Sequence, residues 1–402
     1  MLAGIPAALL AQSNTRKKIA LIITEYRQNS HADVIGTRLL EGYEYYGKRL
    51  QPRVQVTGMF TDQVPWNDMS REKAAKNGVR IYETVHDALT QRTGKLAVDG
   101  VVIIGEHGAY PYNEKGQHLY PRYELFSQVV EVFKASNRAV PVFCDKHLSY
   151  DWKRAKWMYD QSKLLKFSFL AGSSLPVAWR RPELELPVGA PLKEAVVAFH
   201  GGIESYGFHA LETLQCMAER RKGGETGIRS VQCIEGPDAW KWTDSTGWAG
   251  RLLDAAVQRS ETRETGDLRA NVRNPALFLL DYQDGFRAAV YMINGHIRDF
   301  DFAGQVEGRA QPDSTLFWLQ PGRFYSHFCG LTHYIEEMIV TGRPAYPVER
   351  TLMTTGALAA LMDSVWLGHR KIDTPHLEFS YSPPKQPLYN RGAVPALEKK
   401  GA

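Results

Sequence analysis

Residues 141–149 read PVFCDKHLS, an apolar stretch that runs straight into an aspartate, a lysine and a histidine. An amine beside an imidazole can move protons near neutral pH, and a neighbouring carboxylate can orient either one. A second group of the same residue types follows another apolar run: GEHGAYPYNEKGQHLYPRYE at 105–124 carries Glu106, His107 and His118. Asp62 stands just past a third run, VQVTGMFT at 54–61. Open α/β sheets bind ligands at the carboxyl ends of their strands. If these runs are parallel strands, Asp62, Glu106, His107, Asp145, Lys146 and His147 share one rim. Histidines and carboxylates on one edge can also hold a divalent metal. Their spacing matches no metal motif, so no metal is expected. The plainer alternative makes Lys146 a solvated strand end and the histidines ordinary hydrogen-bonding groups.

The elements that position this rim are legible in outline. KIALIIT (18–24), VQVTGMFT (54–61), AVDGVVIIG (97–105) and AVPVFCD (139–145) are apolar and rich in β-branched residues, as strands buried on both faces are. Helical periods separate them at 31–47, at 71–78 with Gly78 closing the helix, and at 125–137. Alternating strands and helices imply right-handed crossovers and a doubly wound parallel sheet. Beyond residue 150 come a helix (151–165), a short strand (167–175) and a proline-rich connection (179–189). Strand signals follow at 194–201, 229–236, 276–295 and 298–308, with a hairpin turn in YQDGF (282–286). Strands without intervening helices predict a mostly antiparallel open sheet. Late helices are expected at 333–342 and 351–369. The predicted organisation is an α/β Rossmann-type domain over 16–150, an α+β domain over 151–385, and a tail over 386–402.

Composition removes other classes. The chain has 402 residues, a net charge of +5, 44% hydrophobic and 23% charged residues, which suits a folded globular protein and argues against nucleic-acid binding. The four cysteines show no metal or disulfide spacing. No apolar run reaches the roughly 18 residues of a membrane span. Residues 1–15 read as the remnant of an export signal or as a loose arm, with export favoured over a cytoplasmic location.

Three segments resemble the Gfo/Idh/MocA oxidoreductases. PVFCDKHLSY (141–150) is similar to that family's PVxCEKPLA, and GFHALETL (207–214) to its G-x-x-H-x-x-D. IEEMIVTGRPAYPVERTLMTTGALAALMDS (335–364), followed by TPHLEFSY (374–381), resembles its closing helices and final strand. The resemblance implies a Rossmann domain, a second domain whose open sheet forms the substrate cleft and a subunit interface, and hydride transfer between NAD(P) and a sugar or polyol. It puts Lys146 and His209 at the substrate hydroxyl near the nicotinamide, with Glu212 orienting the imidazole or binding a second hydroxyl. The imidazole would take the hydroxyl proton while the amine steadies the alkoxide. It further implies a homodimer or tetramer.

One departure stands out. The first βα turn, where glycines let the backbone approach a pyrophosphate, reads TEYRQNSHADVIG (24–36), without a glycine until Gly36. Arg27, Asn29 and Ser30 are the residues expected to replace those contacts, with Ser30 also a helix cap. Asp62 is placed to take an adenosine ribose, and Glu106, His107, Asp145 and Lys146 to line the rest of the cofactor. An exported enzyme would have to hold its NAD or NADP tightly. His147, Tyr110 and Trp179 are expected on the sugar, aromatic rings stacking on a pyranose, and Tyr112 and Trp152 are read the same way. The alternative readings on the same fold are a non-redox lyase, hydrolase or epimerase using Lys146, His209 and His107, and a non-catalytic carbohydrate-binding protein.

Overall fold

The computed structural model describes residues 16–320 and 325–394. The N-terminal arm and the end of the tail lie outside the described residues. The first apolar run becomes β1 (Lys17–Ile23), whose last five residues are wholly buried. With β2 (Val54–Thr61), β3 (Arg80–Tyr82), β4 (Gly100–Ile104), β5 (Val142–Asp145) and β6 (Phe169–Gly172) it forms one parallel sheet. The strand order is 3-2-1-4-5-6. The order reverses between β1 and β4, which is the switch point of a doubly wound sheet. The sixth strand lies past residue 150, so this sheet runs on through the helix after β5 to Gly172. β3 was not expected; three residues are too few to show a period.

The helices of this half are α1 (Thr37–Glu41), α2 (Ser70–Lys76), α3 (Val85–Thr90), α4 (Arg122–Ser136) and α5 (Trp152–Leu164). The helix expected over 31–47 is much shorter. It begins as a π-helical turn at Ala32–Gly36 and stops at Gly42, whose φ of +82° ends it. Tyr43–Tyr45 then pairs with Lys48–Leu50 as a small hairpin.

The second sheet contains β7 (Trp179–Arg181), β8 (Leu192–Phe199), β9 (Ile228–Glu235), β10 (Ala276–Tyr282), β11 (Arg287–Met292), β12 (Asp301–Val306), β13 (Asp313–Trp318) and β14 (Ile372–Asp373). Its order is 14-9-10-11-8-12-13-7, and every neighbouring pair except β8–β11 is antiparallel. The turn from β10 to β11 falls at Asp284-Gly285, as the sequence predicts. TPHLEFSY is not a strand: it follows the two-residue β14 and holds a single 3-10 turn at Pro375–Leu377.

Six further helices cover this sheet and tie it to the first: α6 (Ile203–Ala218), α7 (Pro237–Thr246), α8 (Trp248–Val257), the short α9 (Leu268–Asn271), α10 (His327–Thr341) and α11 (Val348–Trp366). On one face Phe208, Leu211 and Leu214 of α6 and Met353, Ala357 and Leu361 of α11 pack against Phe199, Phe278 and Val290. On the other face Trp248, Leu252 and Leu253 of α8 lie on Val196, Ala198, Ala289 and Tyr291. α7 and α8 were not expected, and they cover a sheet face that the resemblance leaves to a second subunit. Leu331, Ile335 and Met338 of α10 return to the first sheet, meeting Leu21 and Ile104. Among the described residues no helix is long and apolar enough to cross a membrane.

Candidate active site

β5 ends at Asp145 and the chain turns sharply through Lys146. The lysine has φ +67°, a conformation that costs a residue with a Cβ and persists only where the surroundings hold it. Its backbone N–H donates to the Gly172 carbonyl at 3.1 Å, so β6 fixes the turn. The side chain is buried, and Nζ lies 2.5 Å from Nε2 of His209 and 3.5 Å from Oε1 of Glu106. The two family positions therefore meet, from two different domains.

His209 comes from the second turn of α6. Burial pushes its imidazole well below the usual range, and Lys146 and His31 push it further. It is a neutral ring at pH 7, so Nε2 accepts from Lys146; Nδ1 is buried without a partner. Burial alone would raise the Glu106 carboxyl, but Lys146 and Arg122, with His31 and His107, outweigh it and hold the group well below the carboxylate range. Arg122, the first residue of α4, is ion-paired to Glu106 and donates to His147 Nε2 at 3.2 Å. A Cβ on Gly105 would sit 2.7 Å from Arg122 Cγ, so only glycine leaves the arginine its path.

Several expected roles do not match the contacts. Glu212 is not the partner of His209. Its carboxylate accepts from the Ser173 N–H at 3.0 Å and from the Ser173 hydroxyl, on the far side of Gly172. Burial raises it to about 7, against the Ser173 bonds. His147 is buried and holds Arg122, so it offers no edge to a sugar. Trp179 lies on β7, where its Nε1–H donates to the Gly392 carbonyl at 2.7 Å and its ring meets Trp318 edge-on. Tyr110 gives its hydroxyl to Asp62 at 2.5 Å. Among the described residues no three metal-ligating side chains gather around a common point.

Sequence reasoning missed three residues beside the pair. Tyr206, one helical turn before His209, is 39% exposed and lies parallel to Phe300, with ring centroids 6.3 Å apart. His209 stands 5.9 Å from the tyrosine ring. Glu204, at the start of α6, has its carboxyl raised by burial despite the nearby Arg122. Reading the face of α6 at i−3 from His209 would have found Tyr206; nothing in the spacing marks Arg122.

No protein-family model and no curated protein matches the sequence. Solved structures do. GenD2 from gentamicin A biosynthesis, determined in complex with NAD, superposes with a TM-score of 0.56 over 89% of this chain and 96% of its own, at 14% identity. Myo-inositol 2-dehydrogenase from Lactobacillus plantarum gives 0.55 over 89% and 99%, at 12% identity. Myo-inositol dehydrogenase from Lactobacillus casei, in complex with NAD(H) and myo-inositol, gives 0.54 over 92% and 100%, at 11% identity. The chain has the fold of these dehydrogenases. A Rossmann sheet followed by a mostly antiparallel sheet is thus common to all of them, and the resemblance read in the sequence holds at the level of fold.

The dinucleotide end of that fold is a different matter here. A pyrophosphate needs free backbone N–H groups at the first helix N-terminus and a positive local potential. In this loop the N–H groups of Arg27 and Asp33 donate to Ser30 Oγ, that of Asn29 to Asp33 Oδ2, and that of Ser30 to the Arg27 carbonyl. Ser30 is the expected cap, and capping consumes it. Asp33 adds a negative charge to the first turn. Arg27 is ion-paired to Glu25 and donates to His107 Nδ1 at 3.3 Å. The carboxylate of Asp62 is taken by Tyr110. The residues present do not fit a dinucleotide.

Proposed function

We propose that this protein is a sugar- or polyol-directed enzyme in which Lys146 and His209 move a proton at a substrate hydroxyl. The observation that carries the reading is the 2.5 Å contact between Nζ and a neutral imidazole, drawn together from two domains beside an exposed aromatic ring. A substrate hydroxyl that takes the place of Lys146 at Nε2 would give its proton to the imidazole, and the displaced amine beside it would steady the developing alkoxide. Glu106, kept ionised, balances the charge of Lys146 and Arg122. The Tyr206 ring, backed by Phe300, offers the flat apolar surface on which the C–H face of a sugar packs.

The internal bonding of the glycine-free loop favours acid–base chemistry without net hydride transfer: elimination, epimerisation or hydrolysis. The shared fold with dehydrogenases that carry NAD favours the companion reading, oxidation of the same hydroxyl carbon, and the same pair serves both. A panel of inositols, hexoses and glycosides, followed by NMR for any product, tests the reading with purified protein. Lys146→Met and His209→Gln are expected to lower turnover by about 10² to 10⁴-fold in protein that circular dichroism shows to be folded. Full activity in either variant sinks the assignment.

A further inference from the structure

The rim of the switch point is stitched together from within. Hydrogen bonds cross it along its length. Thr24 Oγ1 donates to the Glu106 carbonyl at 2.8 Å, and Arg27 to His107 at 3.3 Å. His31 Nδ1 lies 2.6 Å from Asp145 Oδ2. The Ala109 N–H donates to Gln63 Oε1 at 2.8 Å, and Tyr110 to Asp62 at 2.5 Å. The β1–α1 loop and the end of β2 are thereby fastened to the loop after β4 and to the end of β5. The fastening is packed as well as bonded. The His31 ring meets His107 edge-on with centroids 5.4 Å apart, and meets Phe328 of α10 at 5.2 Å. Asp145 is fully buried beneath His31.

A dinucleotide laid along this sheet runs from the acid after the second strand, over the first helix N-terminus, to the far half of the sheet. Asp62, the first helix N-terminus and the Asp145 end of that path are each engaged by a side chain of this protein. The segment 105–121 supplies most of those partners. Charge adds to the exclusion: Glu25, Asp33, Asp62, Glu106 and Asp145 all lie along the path, and Arg27, Arg122 and Lys146 beside them are ion-paired. A pyrophosphate would enter a strip whose acids outnumber its free cations.

We infer that this chain has replaced the dinucleotide of its fold by its own side chains: it takes up neither NAD nor NADP. The exclusion stands on the crevice alone and does not rest on the roles given to Lys146 and His209.

The test uses the full chain as purified. Denaturation should release no nucleotide detectable by absorbance or mass. Calorimetric titration with NAD+, NADH, NADP+ and NADPH should give no saturable heat up to about 1 mM, the concentration at which even weak specific binding shows. Backbone hydrogen exchange over residues 24–34 and 105–112 should be the same with and without each dinucleotide. Stoichiometric nucleotide in the supernatant, a one-to-one binding isotherm, or new protection of those two segments overturns the inference. That result would leave the proton-transfer role of Lys146 and His209 standing and turn it to hydride chemistry. Loss of that role, read from the Lys146→Met and His209→Gln variants, would leave the closed crevice untouched.

Discussion

Glu212 shows what burial does to a side chain that sits beside a reactive centre without serving it directly. Its carboxyl is fully buried, and Ser173, which it bonds, follows the strand that fixes the Lys146 turn. With the group raised to about 7 from its usual 4.5, the folded state holds a proton that the unfolded chain has already lost between those values. Stability from this residue is therefore full below pH 4.5 and declines as pH rises towards 7, by about 3 kcal/mol as an order of magnitude. The histidines act in the opposite direction. His107, lowered to about 4 by burial and by His31, costs stability as pH falls from 6.5 towards that value. The wild-type curve mixes the two, so the difference from Glu212→Gln isolates the carboxyl. Urea midpoints of the two proteins between pH 4.5 and 8 should diverge, the glutamine variant gaining relative stability as pH rises. Parallel curves would mean that Glu212 is ionised throughout.

At the scale of elements, the segment from β4 to α4 is held by one buried arginine. Arg122 ties the first turn of α4 to Glu106 and to His147, so it connects the loop over the crevice with the residue after Lys146. Breaking a buried pair from one side leaves an uncompensated charge and costs about 3–5 kcal/mol. Arg122→Met is expected to lose that much, and Glu106→Gln with Arg122→Met to lose less than the two single changes added together. A strictly additive double variant in urea denaturation would show that the pair does not act as a unit. This element also marks the limit of what the sequence discloses. Four strands of the first sheet are legible because each is a largely apolar run, and with them the rim that carries Asp62, Glu106, Asp145 and Lys146. Lys146 and His209 are legible through their flanking motifs. Arg122 is not, because an arginine at a helix start reads as solvated; its burial depends on Gly105, seventeen positions earlier, lacking a side chain. Glu212 is misread for a similar reason. Helical spacing puts it on a face with His209, whereas the backbone of Ser173, which no periodicity reveals, decides where its carboxylate turns.

For the whole molecule, the two sheets are joined by α11, whose Val348 and Leu352 pack with the first core while Met353, Ala357 and Leu361 pack with the second. The pair Lys146–His209 straddles this junction, so the site depends on the domains being held in register. The outer face of the second sheet is closed by α7 and α8 from the same chain. Trp240, Trp248, Leu252 and Leu253 lie there on Leu277, Ala289, Tyr291 and Ala303, so this apolar surface is already buried within one subunit. A core leucine truncated to alanine loses its transfer free energy and leaves a cavity, together about 2–5 kcal/mol. Leu252→Ala should therefore lower the unfolding midpoint of the protein by that amount. If the face is internal, the same change leaves the molar mass by light scattering where it was, whatever that mass is, since no partner surface touches Leu252. A variant that kept its midpoint but changed its mass would mean that α7 and α8 move aside to admit a second copy, and that the sheet face is an interface after all.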